Sequence, residues 1–227
     1  MIVESSDALI VRSMGLRSWK TVAESMYKFT NDRKPETLDE VWLVEHPPVF
    51  TQGQSGKVEH ILVPDQIPVM QSDRGGQVTY HGPGQQLMYV MINLKRRAIT
   101  PRQLVNLMEK TIIDTLSYFS VISYSRVEAP GVYVDNKKIG SLGLRIRNRC
   151  SYHGLSLNVN MDLTPFLYIN PCGHPGLEMT QLQQQKHDIT LTEVQPVLIY
   201  NFTRQLSISE TYWIEKNETC SYIEEKS

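Results

Sequence analysis

The chain has 227 residues, 41% of them hydrophobic and 21% charged, with a formal net charge of −1 at pH 7. This length can bury a core without cross-links, and the balanced charge argues against nucleic-acid binding, which needs a basic excess. No apolar run approaches the ~18 residues of a membrane helix, and residues 1–7 lack the basic and apolar regions of a secretory signal. Three cysteines without a CxxC pair are typical of free thiols, so we expect a cytoplasmic protein.

The first half of the chain is predicted to combine short strands with one helix. Residues 9–11 form an apolar strand, and a helix should run from residue 15 to about residue 33, because its apolar residues recur on one face: Trp19, Val22, Ala23, Met26 and Tyr27. The run at 86–94 is apolar on both faces, which predicts a central strand ended at the surface by residues 95–97. Further short strands are predicted at 41–44, 49–51 and 68–71.

A second helix and a β-meander are predicted next. The helix should run from about residue 101 to residue 119, with Thr100 as the N-cap and Gln103 closing a capping box. Residues 121–160 have the pattern of a β-meander. Its hairpin turn is predicted at 135–137, where Asp and Asn tolerate positive φ.

The C-terminal part is predicted to hold one more helix. It should begin near Thr192, with Gln195 completing a second capping box, and its inward-facing side chains are Val197, Ile199, Tyr200 and Leu206. Residues 207–227 are weakly patterned and are expected to form a tail or a short final element. Helices that flank a mostly antiparallel sheet, without a repeat or linker, predict an α+β fold in a single domain spanning residues 1–227. No long exposed apolar stripe is evident, so we expect a monomer.

Two basic runs are candidate interaction surfaces. The alternating strand pattern places Arg145, Arg147 and Arg149 on one face, and residues 95–97 form the second run. Such arginines commonly form a solvated face. The alternative is a docking surface for an acidic partner.

One cysteine lies in a loop that is unusual for a buried thiol. Residues 169–176 place Cys172 among two prolines and two glycines, which predicts a rigid turn. An accessible nucleophile is one interpretation, and an inert free cysteine is the other. A thiolate needs a nearby base or cation, and the candidates are the lysines and three histidines: His81, His153 and His174. Lys138 follows the hairpin turn and precedes small residues, as a lysine over an open cleft would, although a solvated hairpin lysine is the more common case.

Other binding chemistries have weaker support. Arg74, Gly75 and Gly76 are a candidate anion nest, with a turn between two strands as the alternative. The sequence contains neither GxxxxGK[ST] nor GxGxxG, which disfavours the standard nucleotide-binding folds. Cys172 and His174 lie near each other in sequence, but neither HExxH nor paired CxxC occurs, so we expect no metal.

Three stretches together resemble one protein family. They are residues 74–85, RGGQVTYHGPGQ; residues 131–144, GVYVDNKKIGSLGL; and residues 153–158 with 169–176, HGLSLN and INPCGHPG. Their combination and order resemble the octanoyltransferases of lipoate synthesis, also called lipoyl(octanoyl) transferases, over about residues 5–206. Gly140 and Ser156 are small departures, since alanine is frequent there in the family.

The resemblance implies a biotin/lipoate ligase-like α+β fold, with a mostly antiparallel or mixed sheet flanked by helices. It implies octanoyl transfer from octanoyl-acyl carrier protein to a specific lysine of lipoyl domains, those of 2-oxoacid dehydrogenase complexes and the glycine cleavage H protein. Cys172 matches the family's acyl-thioester nucleophile and Lys138 the lysine that activates it; no cofactor, nucleic acid or membrane is implied. The matching substrate-binding positions are Arg74, Gly75, Gly76, Gln77, Val78, Thr79, Tyr80, His81, Ser141, Leu142, Gly143, Gly154, Leu155 and Ser156.

Three alternatives remain open from the sequence. An ATP-dependent lipoate or biotin ligase on the same fold would activate a free acid and would not need Cys172. A non-catalytic module would bind a fatty acyl chain without turnover. An amidotransferase would also use a cysteine but would take the octanoyl group from another lipoyl protein.

Overall fold

The computed structural model describes residues 8–64 and 66–214. The expectations about residues 1–7, about Cys220 and about the tail beyond residue 214 lie outside the described residues. The helices are α1 Trp19–Asp32, α2 Pro101–Tyr118, α3 Leu182–Gln185 and α4 Leu191–Gln205. The strands are β1 Ala8–Leu16, β2 Asp39–Glu45, β3 Val49–Gln52, β4 Val69–Gln71, β5 Val78–His81, β6 Gln85–Met91, β7 Tyr124–Ser125, β8 Val132–Val134, β9 Lys137–Arg147, β10 Cys150–Asn158 and β11 Glu210–Ile214.

Two sheets organise the fold. Eight strands form a mixed sheet in the order β11-β1-β2-β6-β10-β9-β8-β7, and β4-β3-β5 form a small second sheet. β1 pairs in parallel with β2 and β11, and the other pairs of the large sheet are antiparallel. β6 is buried along its whole length near the middle of the sheet, as its apolar sequence predicted. The α+β expectation with a mixed sheet flanked by helices is therefore confirmed.

The two faces of the large sheet build separate apolar cores. Strand alternation sends Met88 and Leu155 to the face covered by α2 and α4, where they share a core with Leu104 and Leu198. The opposite face carries Leu87, Tyr89 and Tyr152 against α1. A third cluster, which includes Phe50, Val78 and Tyr80, packs under the small sheet. Among residues 8–64 and 66–214, no helix is long and apolar enough to cross a membrane.

Helix α1 begins later than predicted, and one of its predicted core residues is exposed. Leu16 still belongs to β1, so the helix starts at Trp19. Trp19, Val22 and Met26 are buried as expected, but Tyr27 is 43% exposed and lies against Arg147 on the surface. Phe29 continues the buried stripe instead, because Val22, Met26 and Phe29 are separated by four and three residues and so share one face of the helix.

The last helix also differs from its prediction. Its N-cap is Thr190, whose hydroxyl accepts from the Glu193 N–H while the Glu193 carboxylate accepts from the Thr190 N–H. The predicted box at Thr192 is wrong because Thr192 is already inside the helix. Tyr200, predicted to face inward, is 64% exposed. The capping box predicted at Thr100 and Gln103 is confirmed.

Neither basic run is arranged as the sequence pattern suggested. Arg96 and Arg97 are largely buried, and together with Arg33 they form ion pairs to the fully buried Asp39. This cluster joins the end of α1 to β2 and to the segment after β6. Arg149 lies in the hairpin turn between β9 and β10 with φ of 62°, off the strand face that carries Arg145.

The segment after α4 adds an edge strand. β11 pairs in parallel with β1, from Ala8 opposite Glu210 to Arg12 opposite Ile214. Of the two expectations for residues 207–227, a short final element is therefore correct for the described residues up to 214. The sequence of β11 did not predict a strand clearly, because most of its side chains are exposed and show no alternation of buried and exposed positions.

Candidate active site

Lys138 occupies the second position of β9, directly after a tight hairpin turn. Asp135 and Asn136 both adopt positive φ, 47° and 65°, as predicted for this turn. The Lys138 side chain is not solvated, because the residue is only 2% exposed. Its Nζ donates to the Pro130 carbonyl at 2.9 Å and to Cys172 Sγ at 3.2 Å. The turn therefore places the buried amine of Lys138 against the loop that carries Cys172.

Cys172 lies at the centre of the rigid turn that its neighbours predicted. The residue has φ of 56° between Pro171 and Gly173, and its side chain is partly exposed. A side chain at position 173 would overlap Gln77, since a Cβ there would lie 2.6 Å from the Gln77 amide. The turn therefore packs directly against the loop that carries the 74–81 motif.

Gly131 is required by the approach of Lys138. Its φ of 144° is a conformation that L side chains rarely adopt, and an added Cβ would lie 2.4 Å from Lys138 Cε and 2.8 Å from the Gly140 carbonyl oxygen. The Gly131 N–H donates to the Glu109 carboxylate of α2 at 3.0 Å. The hydrogen bond to Glu109 therefore fixes the backbone next to Pro130, whose carbonyl accepts from Lys138 Nζ.

A cavity of about 410 Å³ adjoins the Lys138–Cys172 pair, in the size range of small-molecule sites. Cross-strand pairing places small residues at its centre: Ser141 opposite Ser156 and Gly143 opposite Gly154. The absence of a Gly143 side chain lets the loop at 74–76 close over β9, because a Cβ there would lie 3.1 Å from Arg74 Cδ. The larger apolar side chains along the walls are Trp19, Leu87, Tyr89, Val105, Leu142, Leu144 and Leu155.

Most of the predicted site residues line this cavity. They are Arg74, Gly75, Gly76, Gln77, Thr79, His81, Lys138, Ser141, Leu142, Gly143, Gly154, Leu155, Ser156 and Cys172. The structure places Val78 and Tyr80 elsewhere, in the core under the small sheet. They alternate with Gln77, Thr79 and His81 along β5, so the strand period sends them to the other side.

The Arg74 loop is arranged as a structural turn more than as an anion nest. The guanidinium donates to the carbonyls of Thr51, Gly75 and Gln77, and burial lowers the pKa of Arg74. The Gly75 N–H donates to the Leu144 carbonyl at 3.0 Å. These donors are occupied within the protein, which favours the turn alternative for this motif.

Two histidines of the cavity lining, His81 and His153, form hydrogen bonds within the fold. Burial lowers the pKa of His81 to about 3, and it lowers the pKa of His46, which lies next to His81 outside the lining, to about 4. Burial also lowers the pKa of His153, although its Nε2 lies 2.7 Å from Asp73 Oδ1. Partial burial opposes ionisation of Asp73, but hydrogen bonds from His153 and Tyr152 hold its pKa below the usual value. Lys138 thus donates to the Cys172 sulfur, whereas His81 and His153 have other partners. Arg74 is a second cation within electrostatic range of Cys172, and His174 lies in the cavity lining.

Sequence reasoning missed several residues of the site. Trp19 from α1 and Tyr89 from β6 form cavity walls, and Arg102 and Val105 enter from α2. Asp73 was also missed, although it binds the cavity residue His153 and directly precedes Arg74. Trp19 and Tyr89 have the pattern of ordinary core residues, so no local signal distinguishes them. Within the described part of the chain, no three His, Cys, Asp or Glu residues are grouped so as to hold a metal ion.

The chain is similar to a known family over most of its length. The family model described as the lipoyl protein ligase A/B catalytic domain matches residues 21–203. A curated octanoyltransferase of Erwinia tasmaniensis is 64% identical over 211 residues, covering 93% of this chain and 95% of that protein. A curated octanoyltransferase of Escherichia coli is 57% identical over 201 residues, covering 88% and 94%.

Solved structures with lower identity share the fold. A lipoate-protein ligase A bound with ATP superposes with a TM-score of 0.75 at 13% identity, covering 93% of this chain and 89% of that chain. A bipartite lipoate protein ligase studied with its E2 lipoyl domain, from Thermoplasma acidophilum, superposes with a TM-score of 0.73 at 13% identity, covering 92% and 87%. At these identities the likeness concerns the fold alone.

Proposed function

Because the chain belongs to the lipoyl protein ligase A/B catalytic-domain family and is an acyltransferase that transfers octanoyl groups for lipoate synthesis, we propose that Cys172 carries the octanoyl group as a thioester. The donor is octanoyl-acyl carrier protein, and the acceptor is a lysine of a lipoyl domain. The observation that carries this proposal is the 3.2 Å separation of Lys138 Nζ and Cys172 Sγ beside an apolar cavity.

The first step exchanges one thioester for another. The Cys172 thiolate, paired with the Lys138 ammonium, attacks the donor carbonyl, and the carrier's thiolate leaves. That thiolate takes a proton from Lys138, so the carrier departs as a thiol and Lys138 is left neutral. Bonds formed and broken are alike, so the step is nearly isoenergetic and depends on the thiolate.

The second step forms the amide and restores the starting charges. The neutral acceptor amine attacks acyl-Cys172 and passes a proton to neutral Lys138, and the Cys172 thiolate leaves. Conversion of a thioester to an amide is downhill, so the transfer proceeds without ATP. The cavity beside the pair holds the octanoyl chain, whose burial stabilises it by up to about 0.8 kcal/mol per methylene.

The partners follow from the family. Lipoyl domains of 2-oxoacid dehydrogenase complexes and the glycine cleavage H protein are the proposed acceptors. The study of the archaeal ligase with its E2 lipoyl domain supports an acceptor of this class. We place the reaction in the cytoplasm, in a monomer whose single catalytic domain spans the chain.

Intact mass spectrometry tests the intermediate. The protein is mixed with octanoyl-acyl carrier protein without ATP, and we expect an octanoyl adduct that maps to Cys172 and disappears when a lipoyl domain is added. Cys172→Ser should lose the adduct and nearly all transfer. Cys150→Ser is the matched control, because Cys150 is a buried thiol outside the cavity and burial raises its pKa. Octanoylation of the lipoyl domain only with ATP and free octanoate would contradict the proposal and indicate a ligase.

A further inference from the structure

Asn158 is a buried side chain at the end of β10, and it is not among the residues that line the cavity. It is 2% exposed, and both ends of its amide are used. Nδ2 donates to the Thr180 carbonyl at 3.0 Å, and Oδ1 accepts from Gln85 Nε2 at 2.9 Å. A buried amide with partners on both sides is a fixed link between the segments it joins.

On one side, this link ends at the backbone of Lys138. The Thr180 N–H donates to the Lys138 carbonyl at 2.9 Å, and the Lys138 N–H donates to the Glu178 carbonyl at 2.8 Å. The segment 178–180 therefore pairs with β9 at the residue whose Nζ contacts Cys172. Asn158 anchors the segment that holds the Lys138 main chain.

On the other side, the link continues to Arg74. Gln85 Oε1 accepts from His81 Nδ1 at 2.7 Å, and His81 Nε2 accepts from the Thr51 hydroxyl at 3.1 Å. The Thr51 hydroxyl in turn accepts from the Arg74 guanidinium at 2.9 Å. The 74–81 loop also packs on the Cys172 turn through Gln77 and Gly173. One loop is therefore connected to both members of the Lys138–Cys172 pair.

The direction of every hydrogen bond in this chain is determined. The Thr180 carbonyl only accepts, so Asn158 presents its nitrogen to Thr180 and its oxygen to Gln85 Nε2. Gln85 then presents its oxygen to His81, so the imidazole proton lies on Nδ1. In a neutral imidazole Nε2 is an acceptor, so the Thr51 hydroxyl donates to it while accepting from Arg74. The pKa of about 3 for buried His81 agrees with the neutral imidazole that this order requires.

We propose that Asn158 is a positioning residue that sets the distance between Lys138 Nζ and Cys172 Sγ by anchoring the 178–180 segment to the His81–Gln85 chain. The inference rests on the proposed function of the Lys138–Cys172 pair. Asn158 touches neither reacting atom, and it acts through the main chain of Lys138. A displacement of about 1 Å at a reacting group is enough to slow a reaction about 100-fold.

Asn158→Asp tests the link with little change in shape. An ionised carboxylate still accepts from Gln85 but has no proton to donate to the Thr180 carbonyl, and it repels that oxygen. Burial favours the protonated acid, which can restore the bond, so Asn158→Ala, which can neither donate nor accept, is measured beside it. We expect the single-turnover rate of Cys172 octanoylation to fall about 10- to 100-fold, with the donor KM changed less than about twofold. Asn201→Asp is the matched control. Asn201 is 5% exposed and donates to the Val197 carbonyl in α4, outside the site, so the rate should stay within about twofold.

A double-mutant cycle separates positioning from general destabilisation. Lys138→Met/Asn158→Asp should be no slower than Lys138→Met alone, because Asn158 acts only through the Lys138 amine. Equal losses in both backgrounds, or a wild-type rate for both Asn158→Asp and Asn158→Ala, would overturn the positioning role. If Asn158→Asp does not fold, Asn158→Ala carries the same comparison. A wild-type rate for Lys138→Met would instead overturn the proposed function itself.

Discussion

At the residue scale, the site is dominated by one buried ammonium. A charged amine that is 2% exposed is unfavourable unless it has polar partners. Lys138 Nζ donates to the Pro130 carbonyl and the Cys172 sulfur and lies 5.7 Å from the centre of the Tyr133 ring. Of its two hydrogen-bond acceptors, only the sulfur can become an anion. The same burial that costs free energy in folding thus strengthens the attraction between the ammonium and a thiolate, because screening by water is weak there.

Lys138→Met removes this charge and leaves an unbranched side chain that is one heavy atom shorter. We expect the rate of Cys172 octanoylation at pH 7 to fall about 100-fold or more, in the range attributed to positioned acids and bases. The rate is measured by quenched single-turnover mass spectrometry. Lys137→Met is the control, since Lys137 is the adjacent, exposed lysine and pairs with Glu178 on the surface. If the octanoylation rate fell equally in the two variants, the loss would be due to removal of any positive charge near the hairpin and not of the contact between Lys138 and Cys172.

At the element scale, hydrogen-bonded ends decide where the helices stop and start. α2 and α4 both begin with a threonine whose hydroxyl accepts from the third residue of the helix. In α4 the sequence contains Thr190 and Thr192 close together, each with a Glu or Gln three residues later. Only the register of the buried face, set by Val194, Leu198 and Phe202, selects Thr190 as the cap.

Two single substitutions distinguish these caps. Thr190→Ala should destabilise the protein by about 1 kcal/mol, because the Glu193 N–H loses its partner. That loss corresponds to a lower Tm by about 2–4 °C in a protein of this size. Thr192→Ala, at an exposed position inside the helix, should leave the Tm unchanged or slightly raised, since alanine is the better helix former. A larger loss at Thr192 in thermal unfolding would contradict the observed start of α4.

At the scale of the whole molecule, two groups of arginines differ, one buried in ion pairs and the other exposed beside the cavity. Arg33, Arg96 and Arg97 form ion pairs with the buried Asp39, so their charges do not form an exposed basic surface. Arg145 and Arg147 remain exposed on β9, on the same alternate positions as Ser141 and Gly143 in the cavity. A basic surface beside the cavity would complement an acidic partner, such as the carrier protein that we propose as the donor.

Charge reversal tests that surface. Arg145→Glu/Arg147→Glu should raise the KM for octanoyl-acyl carrier protein about 3- to 10-fold and reduce its salt dependence. The KM for octanoyl-pantetheine, a donor without a protein, should not change. Arg204→Glu on α4 is the control, since α4 covers the opposite face of the sheet. An unchanged carrier KM would return Arg145 and Arg147 to an ordinary solvated face.

Several elements were predictable from the sequence because their signals are local. The periodicity of α2 with its Thr100 cap, the 135–137 turn, the buried run of β6 and the rigid loop around Cys172 each depend on neighbours within a few residues. The pattern of elements predicted the α+β class, and the resemblance then indicated its biotin/lipoate ligase-like form and the octanoyl chemistry. The resemblance also assigned substrate contact to the whole 74–81 motif. The alternation of side chains along the strand instead places Val78 and Tyr80 in the core under the small sheet.

The burial and the partners of several charged and polar side chains depend on contacts between distant segments, and these became visible in the folded structure. Lys138 looked like a solvated hairpin lysine, and it is buried because Pro130, Cys172 and the 178–180 segment close around it. Arg96 and Arg97 looked like surface charges, and the buried carboxylate of Asp39 draws them inward. Asn158 belongs to the 153–158 motif, but no local pattern indicates its hydrogen-bond partners, which lie 73 and 22 residues away. Burial and hydrogen bonding across such separations are properties of the packed chain, and residue patterns within one element do not encode them.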